Sequence, residues 1–289
     1  MADNAVAAVY LRASSALTGD VVMRNALNRQ RRSLLAAGLA TLPLAAAKSL
    51  AAAKTSPPSR RIRLDARPGP IELDTATTAV IVVDMQNDFG SKGGMFDRAG
   101  IDISGIQKAV APTARALAAA RRAGMPVIYL KMGYRPDLSD LGAADSVNRT
   151  RHMRLKVGER VRAPDGSESR ILVRDTWNTA ILDELAPRAA DVVMWKTRFS
   201  GFYQTSLHED LQRFGCRHLI VTGCTTSICV ESTVRDAMFR DYLPVLLSDC
   251  MSEPIGGDLA RSNHEASLLS TEVLLGWVAD SERFVRALA

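Results

Sequence analysis

Gly223-Cys224-Thr225-Thr226-Ser227-Ile228-Cys229-Val230-Glu231-Ser232-Thr233 follows the apolar run His218 to Thr222 and leads into helical spacing from Glu231 to Arg240. A short apolar run before such spacing reads as a buried strand handing over to a helix, with Cys229 at the junction. The unpaired N–H groups and positive dipole end of a helix favour thiolate over thiol, so Cys229 is a candidate nucleophile. A free cysteine is also a small apolar packing group, and the residue alone leaves both readings open.

Two other strand ends bear on the choice. Ala79-Val80-Ile81-Val82-Val83-Asp84 ends in an acid, and Val192-Val193-Met194-Trp195-Lys196 ends in a base. In an open parallel sheet the carboxyl ends of the strands converge on one crevice, where ligands bind. Asp84, Lys196 and Cys229 are therefore expected in one pocket.

Working outward, strands are expected at 79–84, 126–131, 191–196, 218–223, 244–249 and 272–277. Helices are expected at 103–123, broken or restarted at Pro112, and at 178–185, 205–214 with Thr205 as N-cap, 227–240, 258–270 and 281–288. Strands separated by helix-length segments imply right-handed crossovers. The expected fold is a single α/β domain over 75–289, a three-layer, doubly wound, six-stranded parallel sheet of Rossmann-like type. No Gly-x-Gly-x-x-Gly follows the first strand, and Asp84 would repel a pyrophosphate, which argues against a dinucleotide site. The 133–175 segment is long, charged and poor in periodic apolar residues. It reads as a lid or oligomer contact near the pocket, or as a solvated surface insertion.

The net charge of +6 over 289 residues is misleading as a sign of nucleic-acid binding. Residues 1–60 hold eight Lys/Arg against two Asp/Glu, whereas residues 61–289 hold 29 of each sign. The body is neutral and offers no basic surface for a phosphate backbone. The basic segment has its own reading: Arg31-Arg32 precede the mostly apolar run Ala36 to Ala47 and the small residues Ala51-Ala52-Ala53. That pattern reads as a twin-arginine export signal over 1–54, with Met23 as an alternative start, followed by a linker and lead-in over 55–74. Export implies a periplasmic or external protein with no membrane contact after processing; without use of the leader it stays cytoplasmic. Cysteines 216, 224, 229 and 250 lack paired C-x-x-C spacing, and free thiols are expected at Cys224 and Cys229. Histidines 152, 208, 218 and 264 lack metal-ligand spacing and are expected at the surface or at helix ends, so no metal is expected.

With these residues assembled, the chain resembles the isochorismatase-like cysteine hydrolases from about Thr75 to its C-terminus. Val83-Asp84-Met85-Gln86-Asn87-Asp88-Phe89 matches the family's acidic strand end, Lys196 its lysine, and Thr226 to Thr233 its cysteine elbow. Similarity to ureidoacrylate amidohydrolase members lies at Trp195 to Phe202 and Gly276-Trp277-Val278; similarity to biuret hydrolase members lies at Gly93-Gly94 and Arg135-Pro136-Asp137-Leu138. Thr225, Ser227 and Met132 depart from the family's usual residues.

The resemblance implies a C–N amidohydrolase acting on a small amide, ureide or carbamoyl compound without a cofactor. Cys229 is then the nucleophile, Asp84 the base and Lys196 its partner, with the backbone N–H groups of Thr225 and Cys229 as oxyanion hole and a cis peptide at Cys224–Thr225. Phe89, Gln86, Asn87, Met132, Tyr134 and Arg198 are candidate substrate contacts. A homo-oligomer is also implied, with Trp277 as a possible contact. The alternatives are a non-catalytic binding protein of this fold, or ureidoacrylate amidohydrolase proper.

Overall fold

The computed structural model describes residues 59–289; the expected export signal over 1–54 and the start of the linker lie outside the described residues. In chain order the elements are β1 (Arg61–Leu64), β2 (Ile71–Asp74), β3 (Thr78–Val83), α1 (Asn87–Gly90), α2 (Met95–Arg98), α3 (Ser104–Arg122), β4 (Val127–Met132) and α4 (Val147–Arg154). There follow β5 (Arg160–Arg162), β6 (Glu168–Arg170), β7 (Val192–Lys196), α5 (Leu207–Arg213), β8 (His218–Cys224), α6 (Glu231–Met238), β9 (Leu243–Ser252), α7 (Asn263–Ser270), β10 (Trp277–Ala279) and α8 (Ser281–Ala287).

Six strands form one parallel sheet in the order β10-β9-β8-β3-β4-β7, the expected architecture. Both faces are covered, as the unbroken apolar strands require. Val80 and Val82 of β3 face one core with Ile106 and Leu117 of α3 and Phe284 of α8. Ala79, Ile81 and Val83 face the other, with Leu207 and Leu211 of α5 and Val234 and Ala237 of α6. The chain runs from β3 through β4 to β7 at one edge, then returns to the far side of β3 for β8, β9 and β10. This reversal puts the switch point, and its crevice, at the ends of β3 and β8. Gly223 sits there at φ +119°, where a Cβ would lie 2.0 Å from the Val83 carbonyl oxygen. Glycine alone permits that approach.

Several expected boundaries move. Helix α3 runs uninterrupted through Pro112. Proline leaves the carbonyl four residues earlier without its donor, but that residue, Lys108, is on the exposed face of the helix, where the loss costs least. The expected helix at 178–185 is two short 3₁₀ turns, Trp177–Thr179 and Asp183–Leu185. Helix α5 begins at Leu207, whose N–H donates to the Thr205 hydroxyl at 3.2 Å. Helix α7 begins only at Asn263, set by a capping box between Ser262 and Glu265. The expected strand at 272–277 is instead a π-helical turn, Thr271–Leu275, with β10 starting at Trp277. The lead-in is ordered: β1 and β2 pair antiparallel and bury Ile62, Leu64, Ile71 and Leu73.

The 133–175 segment contains α4 and the hairpin β5–β6, and a buried carboxylate fastens its end. Asp88 accepts hydrogen bonds from Leu172 N (2.7 Å), Met95 N (2.9 Å) and the Asn178 side-chain amide. It thereby joins that segment to α2 and to the turn at Asn178. Burial pushes its pKa from the ordinary 3.8 up to about 7, against the pull of these donors. The folded protein thus holds a proton that the unfolded chain has lost, so this contribution to stability falls as pH rises between those two values. We expect urea denaturation to show wild type ahead of Asp88→Asn by about 2–3 kcal/mol more at about pH 5 than at about pH 8. An equal difference at both pH values would remove Asp88 as the titrating group.

Candidate active site

Strand ends β3 and β7 and the turn after β8 bring Asp84, Lys196 and Cys229 together, with side-chain-bearing residues exposed by only 0%, 1% and 7%. Asp84 leaves β3 in the left-handed region, φ +51°. Its backbone is gripped from both sides: its N–H donates to Leu130 O (2.9 Å), while its carbonyl accepts from Gln86 N (2.8 Å) and from the Cys224 thiol (3.1 Å). Lys196 Nζ lies 2.7 Å from Asp84 Oδ2 and donates to Arg198 O at 3.2 Å. Neither Asp84 oxygen has a well-directed hydrogen bond among the described residues, so proximity and charge hold the pair.

Burial raises the Asp84 pKa and outweighs the opposing pull of Lys196. Burial also works against the charged form of Lys196, but Asp84 and Cys229 prevail and hold its pKa above that of an ordinary lysine. Burial pushes the Cys229 thiol well up, Lys196 opposes this, and Asp84 adds to it. The resting form, left open by the sequence, is the thiol, because desolvation and the neighbouring carboxylate outweigh the helix end. The trio is a neutral nucleophile beside a carboxylate of raised basicity and a fixed cation. Such a set can move a proton from sulfur to oxygen and back.

The elbow is a single π-helical turn, Thr226–Val230, running into α6. Thr233 Oγ1 donates to Cys229 O (2.7 Å) and accepts from Gly201 N (2.9 Å). Ser227 gives its N–H (3.0 Å) and its hydroxyl to Glu253 Oε2, and Thr226 Oγ1 meets His264 Nδ1 at 2.9 Å. The Cys224–Thr225 peptide is cis, as the resemblance implied. Glu253 escaped the sequence reading because its position depends on an irregularity in β9. Val221 pairs with Leu246 but Gly223 with Met251, a jump in register that periodicity does not announce.

A cavity of about 480 Å³ adjoins Cys229. Of the expected contacts it is lined by Phe89, Met132, Arg198 and Thr225. Gln86, Asn87 and Tyr134 lie outside its lining and are engaged elsewhere. Gln86 bridges strands, donating to Met132 O (2.9 Å) and Thr179 O (3.1 Å) and accepting from Met132 N (2.7 Å). Asn87 donates to Trp177 O (2.9 Å) and accepts from Ser91 Oγ (2.8 Å). The buried Tyr134 hydroxyl reaches Thr197 O (3.4 Å) and Asn148 Nδ2 (3.2 Å). These side chains bind neighbouring protein groups, a common use of polar residues at strand ends.

The sequence reading missed Met95, Phe96, Asn148, His152, Phe199 and Ile255, all in the lining. Helix α4 supplies Asn148 and His152, so the aperiodic 133–175 segment is a wall of the cavity. His152 lies in the last turn of α4, a helix end as expected, but not at the surface. It is buried, its Nδ1 lies 2.7 Å from Asn148 O, and burial pushes its pKa down to about 4, so it is neutral. The four cysteines are free and buried. Among the described residues, no three His, Cys, Asp or Glu side chains come together as a metal-ligand set.

Against known proteins, the Isochorismatase domain family profile matches residues 78–283. The ureidoacrylate amidohydrolase RutB of Methylobacterium radiotolerans is 42% identical over 225 residues, covering 78% of this chain and 84% of the relative. That of Yersinia enterocolitica is 40% identical, covering 78% and 95%. Among solved structures, a cysteine hydrolase from Pseudomonas syringae pv. phaseolicola superposes with TM-score 0.63 at 29% identity, covering 75% of this chain and 94% of that one. N-carbamoylsarcosine amidase from Thermoplasma acidophilum gives TM-score 0.53 at 25% identity, covering 71% and 97%. With its strand-end acid and lysine, its cysteine elbow and its parallel sheet all in place, the chain belongs to the isochorismatase family.

Proposed function

We propose that this chain is an amidohydrolase that cleaves a C–N bond in a small amide, ureide or carbamoyl compound through a thioester on Cys229. The observation that carries the reading is the buried Asp84–Lys196 pair, 2.7 Å apart, coupled to the Cys229 thiol. Relatives named for ureidoacrylate and for N-carbamoylsarcosine support a C–N bond beside a carbonyl as the point of attack.

In this mechanism Asp84 takes the thiol proton as sulfur attacks the carbonyl carbon, and the carbonyl π electrons move to oxygen. The N–H groups of Thr225 and Cys229 stabilise that oxyanion. Collapse breaks the C–N bond, and Asp84 passes its proton to the leaving nitrogen. Water then attacks the thioester, giving one proton to Asp84 and breaking the C–S bond; the departing sulfur recovers that proton. Lys196 keeps a positive charge beside each anion in turn. At the cavity rim, Arg198 supplies a further cation for a substrate carboxylate. Its guanidinium donates to Asp140 O (3.2 Å) and Thr197 O (2.6 Å) and has no carboxylate partner among the described residues. The Arg31-Arg32 leader supports delivery of the folded enzyme across a membrane, so replacing both arginines with lysine should leave the protein in the cytoplasmic fraction.

Cys229→Ala should keep the wild-type thermal transition yet lose activity by on the order of 10⁴-fold or more in an ammonia-release assay on ureidoacrylate, biuret and N-carbamoyl amino acids. Substantial turnover by that variant would falsify the thioester route. Because Asp84 must be unprotonated to accept the thiol proton, kcat/KM should rise with pH through an apparent pKa above the ordinary 3.8. Lys196→Met removes the group that lowers the Asp84 pKa, so its residual activity should show the acid limb moved to higher pH. An unmoved limb would assign the ionisation to another group.

A further inference from the structure

Attack by Cys229 needs only a carbonyl and a leaving nitrogen, yet the adjoining cavity encloses about 480 Å³. Its walls are largely apolar: Phe89, Met95, Phe96, Met132, Leu155 and Phe199 all face it. Phe89 and Phe96 meet edge to face with centroids 5.0 Å apart, which makes one side a preformed aromatic wall. The polar lining is Asn148, Arg151, His152, Arg198 and Thr225, and part of it is turned to protein partners. Asn148 Nδ2 donates to Leu141 O (2.9 Å) and to Tyr134 Oη (3.2 Å), and His152 Nδ1 is held by Asn148 O at 2.7 Å. A compact ureide, polar on every side, would leave these apolar walls wet.

We infer that the substrate carries an alkyl or aryl body, seated between the Phe89–Phe96 wall and α4, while its C–N bond lies at Cys229. This deepens the amidohydrolase reading and rests on it. The body supplies binding through burial, and Arg198 at the rim leaves room for an acidic end without requiring one. The protein's preference is then set by the length of the apolar part, which the reacting groups do not sense.

The test is a series of linear primary carboxamides from acetamide to hexanamide, with N-alkylureas of matching length. In the wild-type protein kcat/KM should climb about fourfold per methylene until the cavity is filled. Phe199→Ala, altering a wall residue that is 40% exposed and so of little weight in the fold, should flatten the climb. The same compounds titrated calorimetrically into Cys229→Ala read the cavity without turnover, and their Kd should tighten along the series. A series that peaks at the shortest member, or a Kd that stays flat, overturns the inference even if hydrolysis is confirmed. Tightening Kd without any turnover by the wild type would sustain the inferred cavity preference and overturn the amidohydrolase reading instead.

Discussion

The salt bridge between Lys196 and Asp84 is the constraint on which the rest of the site depends. Both side chains are wholly removed from solvent, and they come from strands separated by β4. An unpaired buried charge costs several kcal/mol, and removing one partner of such a pair typically costs about 3–5 kcal/mol. The pair therefore requires the ends of β3, β4 and β7 to finish in register. Met132 lies opposite Lys196, Asp84 N–H reaches Leu130 O, and the Gln86 side chain ties β3 to Met132. These contacts hold the strand ends in register because the alternative is an unmatched ion in an apolar core.

That register sets the chemistry. A carboxylate alone at this depth would be neutral, and a lone thiol would remain one. With the ammonium beside both, the carboxyl can give up its proton and the thiol can pass one to it, although burial biases both toward the protonated form. The elbow adds a second set of fixed points, Glu253 on Ser227 and Thr233 on the Cys229 carbonyl, so that backbone N–H groups keep their direction while charge shifts. Next to this polar corner lies an apolar cavity. The arrangement follows from physical chemistry: buried charge is confined to the Asp84–Lys196–Cys229 corner, and the larger part of the cavity is apolar.

Much of this was legible along the chain. The runs Ala79 to Asp84 and Val192 to Lys196 show apolar strands that stop at a charge, and a charge at the end of a buried strand has to meet something. The aromatic Phe89, Met132 and Arg198 were found as pocket residues because they lie close to those ends. Gln86 and Asn87 lie equally close but turn to backbone groups at Met132, Thr179 and Trp177, partners brought near only by folding. His152 and Phe96 belong to segments whose apolar rhythm is weak; their burial comes from α4 and α2 folding over the crevice, anchored through Asp88. The π turns at Thr226 and Thr271 and the continuity of α3 through Pro112 likewise depend on what surrounds them.

By itself, then, the sequence determined the layered parallel sheet, the chain order of most of its strands, and the residues Asp84, Lys196 and Cys229 at and just beyond strand ends. Those features follow from local hydrophobic period and from the position of polar residues at the ends of apolar runs, both carried by near neighbours in the chain. Tertiary structure alone decided that Cys229 rests as a thiol, that Glu253 braces the elbow, that Gln86 and Asn87 serve the backbone, and that the 133–175 segment walls an apolar cavity. Each of these depends on desolvation or on a partner distant in sequence, and neither quantity exists until the chain has closed around it.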